Sequence, residues 1–186
     1  MVLLRKLWLF LIDTIQTILL FASLFIVVWI FFFRPFQVNG LSMYPNFHDG
    51  EYVLTNLIVL RFGEPKRGDV VVFKAPTDQD KDFIKRVIGI SGNTVSLKNG
   101  EVYLNDEKLD ESAYLSESVK TYGGSFLRDG EAVTVPENSF FVMGDNRSNS
   151  SDSREWGFVN KTLIIGESTV VYWPINQTRN IKNPYK

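Results

Sequence analysis

Residues 83–104 have the sequence FIKRVIGISGNTVSLKNGEVYL, in which three short runs rich in β-branched and apolar residues alternate with turn residues. Two of these runs flank Lys98-Asn99-Gly100-Glu101, where Asn-Gly favours the positive φ angles of a tight hairpin turn. The same alternation recurs after residue 34 and predicts a mainly β fold. The predicted strands are Phe36–Val38, Glu51–Asn56, Asp69–Lys74, Phe83–Ile90, Thr94–Leu97, Glu101–Leu104, Ala132–Val135, Phe140–Gly144 and Ser168–Trp173.

An uncharged apolar run, Ile15–Phe33, precedes the β-rich part. As a helix it would span about 28 Å, close to the ~30 Å hydrocarbon core of a bilayer. The run is longer than the apolar region of a removable signal peptide, and bulky residues, Phe31-Phe32-Phe33-Arg34-Pro35, stand where small cleavage-site residues would be expected. It also has no polar face, which argues against a buried core helix. We therefore predict a retained transmembrane anchor.

Flanking cations predict the orientation of this anchor. Arg5 and Lys6 precede the span, whereas only Arg34 follows it closely. Because cytoplasmic flanks carry the excess of Lys and Arg, the N-terminus should be cytoplasmic. The predicted organisation is a cytoplasmic N-terminus and anchor over residues 1–34, and an extracytoplasmic β-rich domain over residues 35–186 with a small inserted segment around 105–130.

Composition restricts the chemistry. The chain has 186 residues, with 20 Lys and Arg against 21 Asp and Glu, so its net charge of −1 gives no general attraction to nucleic acid. It has no Cys and a single His, His48. Thiolate catalysis, disulfides and Cys- or multi-His-ligated metals are therefore excluded. We expect no cofactor, no metal and no nucleic-acid partner.

Two polar segments differ from ordinary turns. One is GLSMYP, residues 40–45, and the other is GDNRSNSSDSR, residues 144–154, directly after a predicted strand. A solvated loop with local Asn and Ser turns explains the second segment's small polar residues, but less easily its two Asp and two Arg. A calcium loop built from Asp145, Asn146 and Asp152 is a further alternative, although Arg147 and Arg154 would repel the cation.

Because the chain has no Cys, nucleophilic catalysis would use a Ser or Thr as nucleophile, and His48, a Lys or a carboxylate as base. Ser42 could project from its Ser-x-x-Pro turn, or it could simply cap the local backbone. Lys85 shares one strand face with Phe83 and Val87, so desolvation could lower its pKa toward the range of a general base. The alternative is a Lys whose ammonium reaches solvent at a strand edge.

The chain resembles the bacterial type I signal peptidases, which are membrane-bound Ser–Lys proteases. The resemblance extends from the apolar span through Gly157. Its motifs stand in the family's order behind the anchor, a combination that is highly specific. They are Pro35-Phe36-Gln37-Val38, Ser42-Met43-Tyr44-Pro45, Gly68-Asp69-Val70-Val71, Lys85-Arg86-Val87 with Gly89 and Gly92, and Gly144-Asp145-Asn146-Arg147 through Ser150, Asp152-Ser153-Arg154 and Gly157.

The resemblance implies a coiled-sheet β catalytic domain on the outer face of the cytoplasmic membrane. Ser42 would be the nucleophile, Lys85 the general base, and Ser150 the residue that orients the lysine. The remaining implied site residues are the ion pairs Arg86–Asp145 and Asp152–Arg154, and the pocket residues Phe36, Val38 and Ile84. The substrates would be membrane-tethered preproteins with small residues before the cut, bound as extended chains.

The sequence departs from the family pattern at Gly40, where many members carry a Ser or Thr that helps to stabilise the oxyanion. Asn46-Phe47 replaces the usual Thr-Leu, and Ser91-Gly92-Asn93 replaces Pro-Gly-Asp. Two other functions remain alternatives. One is a self-cleaving repressor-type Ser–Lys protein, against which the membrane span argues. The other is a membrane-tethered, non-catalytic β-domain that binds or scaffolds exported proteins.

Overall fold

The computed structural model describes residues 1–58 and 63–186. It begins with one long helix, α1 (Val2–Phe32), which continues into the first strand because Phe33 already has extended backbone angles. The stretch Val2–Trp29 has a mean hydropathy of 2.2, and none of its most apolar window is buried against the rest of the protein. Helix α1 is therefore long and apolar enough to cross a membrane.

Most strands belong to one antiparallel sheet in the order β1-β2-β11-β3-β4-β9-β10, with β12 paired to β11. Its members are β1 (Phe33–Gln37), β2 (Tyr52–Asn56), β3 (Val70–Ala75), β4 (Asp78–Gly89), β9 (Ser139–Met143), β10 (Val159–Asn160), β11 (Ile164–Trp173) and β12 (Arg179–Asn180). A one-turn α-helix, Ser153–Trp156, and two 3₁₀ turns, Lys161–Leu163 and Ile175–Gln177, lie in the connections between its later strands.

A second antiparallel sheet has the order β7-β6-β5-β8. Its strands are β5 (Thr94–Lys98), β6 (Glu101–Leu104), β7 (Glu107–Lys108) and β8 (Ala132–Thr134). The predicted hairpin is the β5–β6 turn, in which Asn99 and Gly100 have φ angles of 56° and 77°. The segment around 105–130 runs from β7 back toward β8 at the edge of this sheet.

The prediction of a mainly β fold behind one N-terminal apolar helix is confirmed. Strand β4 begins at Asp78, earlier than the predicted Phe83. Residues 78–82 form a polar arm that, among the strands that the structure describes, pairs with β3 alone, so this part of the strand needs no apolar alternation. The two-residue strands β7, β10 and β12 were not predicted, since two residues carry no periodic signal.

Three buried apolar clusters form the core. One of them contains Val38, Met43 and Phe47 together with Val53, Val70 and Val171 from the main sheet. Met43 and Phe47 belong to the turn that contains the predicted nucleophile, Ser42, and both are almost fully buried. Apolar packing therefore fixes this turn against the sheet and leaves Ser42 at its surface.

Candidate active site

Ser42 lies in a compact turn, residues 40–47, which we call the Ser42 turn. The backbone N–H of Phe47 donates to the Met43 carbonyl at 3.0 Å, and that of Tyr44 donates to the Leu41 carbonyl at 3.1 Å. With the Met43 and Phe47 side chains held in the core, the turn has little freedom to shift. The Ser42 hydroxyl points away from the core toward strand β4, as its contact with Lys85 demonstrates.

Lys85 reaches the Ser42 turn from β4. Its Nζ lies within hydrogen-bond distance of Ser42 Oγ, at 2.8 Å, and donates to the Ile84 carbonyl at 2.9 Å. The residue is only 4% exposed, and Nζ lies 5.2 Å from the centre of the Phe83 ring. The structure thus brings together the two residues that the sequence identified as nucleophile and base.

Burial lowers the pKa of Lys85 to about 8, because the ammonium has lost its hydration. The carboxylates of Asp152 and Asp145 oppose this change. Each of these carboxylates also faces an arginine, which limits how far it can stabilise the lysine charge. About one Lys85 amine in ten is consequently neutral at pH 7, a far larger fraction than for a lysine in water.

The two aspartates of the polar loop, residues 144–154, form buried ion pairs. Asp145 accepts from Arg86 Nε at 2.8 Å and Nη2 at 2.7 Å, and Asp152 accepts from Arg154 Nε and Nη2, both at 2.8 Å. Such two-point pairs fix both position and orientation. They also occupy the carboxylates that a calcium site would require.

The polar loop packs directly against the Ser42 turn. The backbone N–H of Asn146 donates to the Ser42 carbonyl, and its side-chain amide donates to the Leu41 carbonyl, both at 3.0 Å. A Cβ added at Gly144 would collide with Ser150 Oγ and with the Ser42 carbonyl. Ser150 Oγ is buried and makes no hydrogen bond to any residue that the structure describes, so its expected contact with Lys85 stays a prediction.

A cleft of about 180 Å³ opens beside Ser42 and Lys85. All three predicted pocket residues, Phe36, Val38 and Ile84, line it. Among the described strands, β1 pairs only with β2, and β4 pairs with β9 only from Arg86 onward. Two free strand edges therefore border the cleft, which suits an extended peptide. A larger cleft of about 500 Å³ lies on the second sheet, between Gly100 and Lys120, and contains neither residue.

The chain matches the family model described as signal peptidase, peptidase S26, over residues 11–173. It is 41% identical over 169 residues to signal peptidase I S of Bacillus subtilis, with 88% of this chain and 90% of that protein covered. The chain belongs to the signal peptidase family. It is therefore a serine protease, and helix α1 is the single membrane anchor among its described segments.

The chain is also similar to two further relatives and to one solved structure. Signal peptidase I T of Bacillus subtilis is 40% identical over 171 residues, covering 90% of this chain and 88% of that protein. Signal peptidase IB of Staphylococcus aureus is 32% identical over 186 residues, covering 92% and 96%. A crystal structure of a signal peptidase I from Enterococcus faecalis is 30% identical, with a TM-score of 0.46, and covers 56% of this chain and 96% of that one.

Several polar residues around this signal peptidase site were not identified from the sequence. Asn46, which the sequence marked only as a departure from the family pattern, donates to Asp145 Oδ2 at 2.8 Å and to the Tyr114 carbonyl at 2.7 Å. Arg147 is buried and pairs with Glu111 from the segment between β7 and β8. A buried arginine needs an acidic partner. Because Glu111 is far from Arg147 in the chain, the sequence did not indicate that Glu111 is this partner.

Proposed function

We propose that this protein removes N-terminal signal peptides from exported preproteins, with Ser42 as the nucleophile and Lys85 as the general base. The observation that carries the proposal is the 2.8 Å separation of Ser42 Oγ and Lys85 Nζ at a buried lysine. Burial supplies an amine that is partly neutral near pH 8, and proximity supplies the proton transfer.

The reaction then follows from this geometry. Neutral Lys85 Nζ takes the hydroxyl proton while Ser42 Oγ forms a bond to the scissile carbonyl carbon. The C–N bond breaks, the Lys85 ammonium returns its proton to the leaving amine, and an acyl-enzyme ester remains on Ser42. Lys85 next deprotonates a water that attacks the ester carbonyl carbon. The bond between this carbon and Ser42 Oγ then breaks, the Lys85 ammonium returns its proton to Ser42 Oγ, and the product leaves as a carboxylic acid that ionises to the carboxylate. The backbone N–H of Ser42 donates to the oxyanion formed in both steps.

Ser150 is proposed to orient the Lys85 amine. Its hydroxyl is buried next to Gly144 and the Ser42 carbonyl and lacks a partner among the described residues. A buried hydroxyl without a partner costs stability in the folded state, which is consistent with retention of Ser150 for a role in the reaction. The Arg86–Asp145 and Asp152–Arg154 pairs hold the loop that carries it.

The cleft supports selection for small side chains before the cut. At about 180 Å³, it has room for residues of alanine size at the positions next to Ser42. Phe36, Val38 and Ile84 form apolar walls, so a larger side chain would be rejected by overpacking rather than by charge. The free edges of β1 and β4 provide backbone pairing for an extended substrate.

The anchor supports a membrane-tethered substrate. At most ~36 Å of extended chain separates Ser42 from the end of α1, and the folded path is shorter. A preprotein still held in the bilayer by its own signal helix meets the site in two dimensions, which raises its effective concentration. The cations before the span, Arg5 and Lys6, support the proposal that the catalytic domain lies on the extracytoplasmic side of the cell membrane.

A cleavage assay on a reconstituted preprotein tests the proposal. Ser42→Ala and Lys85→Ala should each lower kcat by at least ~10³-fold while the protein stays folded, since nucleophile and base act as a unit. Matched changes at exposed positions, Ser118→Ala and Lys98→Ala, should leave the rate unchanged. Cleavage that survives in Ser42→Ala would refute the mechanism. A wild-type protein that binds preproteins without cutting them would instead favour the scaffolding alternative.

A further inference from the structure

Arg179 holds the far side of the Ser42 turn. It belongs to β12, beyond residue 173 where the family-model match ends. Its guanidinium donates to both carboxylate oxygens of Glu51, at 2.8 and 2.7 Å, and to the Asn46 carbonyl at 2.6 Å. We propose that Arg179 is a positioning residue, which holds the turn in the geometry that places Ser42 Oγ at Lys85. The inference rests on the proposed roles of these two residues.

Glu51 makes the contact obligatory. It is only 1% exposed, lies four residues after the end of the Ser42 turn, and also accepts from the backbone N–H of His48 at 3.0 Å. A buried carboxylate without a cationic partner is strongly destabilising. Among the described residues, its close cationic partner is Arg179; the half-exposed His48 ring also lies near, with Nδ1 3.4 Å from Glu51 Oε1.

The second contact reaches the turn itself. Two hydrogen bonds hold Asn46 in place: its carbonyl accepts from Arg179, and its side-chain amide donates to Asp145, the partner of Arg86. The Arg179 guanidinium also lies 5.7 Å from the ring centre of the buried Phe47. Asn46 and Phe47 are the last two residues of the Ser42 turn. A shift of these residues would therefore move Ser42 Oγ.

Only arginine can make this set of contacts. The planar guanidinium serves the two Glu51 oxygens, the Asn46 carbonyl and the Gln177 carbonyl (3.0 Å) at the same time. A lysine carries the same charge on a single nitrogen and cannot reproduce this fork. Replacement by lysine therefore keeps the charge beside Glu51 and removes the hold on the turn.

The C-terminal segment offers a matched control. Asn183 attaches the same segment elsewhere, donating to the Arg67 carbonyl at 2.8 Å and to Asp69 Oδ1 at 2.6 Å. Neither acceptor belongs to the Ser42 turn. Asn183→Ala loosens the segment without releasing the turn, so it separates a general structural effect from positioning.

The test uses the full-length protein in detergent or vesicles with a preprotein substrate. For Arg179→Lys we expect a fall in kcat of about 10- to 100-fold, since a displacement of about 1 Å at a reacting group costs this much. The KM should stay within about twofold and the pH midpoint should not move, because the cleft and the surroundings of Lys85 are unchanged. Asn183→Ala should lower thermal stability and keep the wild-type kcat.

A double variant covers the case in which single changes impair folding. Glu51→Gln with Arg179→Met removes both charges together, and it should fold while keeping the low kcat. Wild-type kcat in Arg179→Lys or in the folded double variant would overturn the inference, as would an equal fall in Asn183→Ala. Wild-type and Ser42→Ala proteins are assayed in parallel as controls. Cleavage by Ser42→Ala would count against the proposed function itself, whatever the Arg179 variants do.

Discussion

Ser42 Oγ and Lys85 Nζ lie 2.8 Å apart although 43 positions separate the two residues in the chain, and Lys85 is only 4% exposed. Neither residue is unusual alone, because serines are common in turns and lysines are common on strands. Their contact beside a largely apolar cleft is the observation that supports the proposed roles of nucleophile and base. The same contact yields predictions about pH, stability and specificity.

The pH dependence of cleavage should report the Lys85 amine. Because the base must be neutral and burial lowers its pKa to about 8, kcat/KM should rise with pH, reach half of its plateau near pH 8 and level off about one to two pH units above that. Initial rates measured between pH 6 and pH 10.5 test this. A rate that climbs steeply beyond pH 10 would mean that the lysine is solvated as in a free peptide.

Replacing Lys85 by Met should stabilise the folded protein. The pKa of Lys85 falls from 10.5 in the unfolded chain to about 8, so the unfolded state binds more protons between these values and wild-type stability rises with pH across this window. At pH 7 the free energy of unfolding of the wild type should therefore be about 1–3 kcal/mol lower than that of Lys85→Met.

Denaturant unfolding at several pH values measures this difference. The advantage of Lys85→Met should shrink as the pH rises from about 8 through 10.5, because the amine is already neutral in the folded state and loses its proton in the unfolded state across this range. Lys98→Met, at a half-exposed position, serves as control and should change stability by less than about 0.5 kcal/mol at every pH. A Lys85→Met protein that is less stable than wild type at pH 7 would argue against a desolvated lysine.

Ser150→Ala tests the orienting role proposed for that hydroxyl. If Ser150 holds the Lys85 amine during the reaction, kcat should fall by about 10- to 100-fold, whereas KM should change little. Ser148→Ala, at an exposed position of the same loop, should keep the wild-type rate. Equal activity of Ser150→Ala and wild type would leave the buried hydroxyl as a packing feature only.

Ile84→Ala should widen the substrate specificity. Removing this side chain enlarges the cleft beside Ser42, so preproteins with valine- or leucine-sized residues before the cut should be cleaved at least about tenfold faster than by wild type. The control is Ile90→Ala, which removes the same atoms from a residue directly after strand β4 that does not line the cleft. An unchanged preference in Ile84→Ala would place the selecting pocket elsewhere.

Much of the architecture follows from local patterns. The apolar run predicted the N-terminal helix, and the Asn-Gly turn predicted the β5–β6 hairpin, because each depends on neighbouring residues alone. Residues 78–82 show the limit of such patterns: their strand pairs on one side only and carries mainly polar side chains, so its start was placed too late. Burial, rather than local propensity, decides where a strand shows alternation.

The candidate site divides in the same way. The residue types, their order and the exclusion of thiol and multi-His chemistry are readable from the chain, because composition and motif spacing are properties of the sequence itself. The proximity of Ser42 to Lys85, the lowered pKa of the amine, and the hold of Arg179 and Asn46 on the Ser42 turn arise only when distant strands pair. Desolvation and hydrogen-bond geometry depend on distances through space, and only the packed sheet determines those distances.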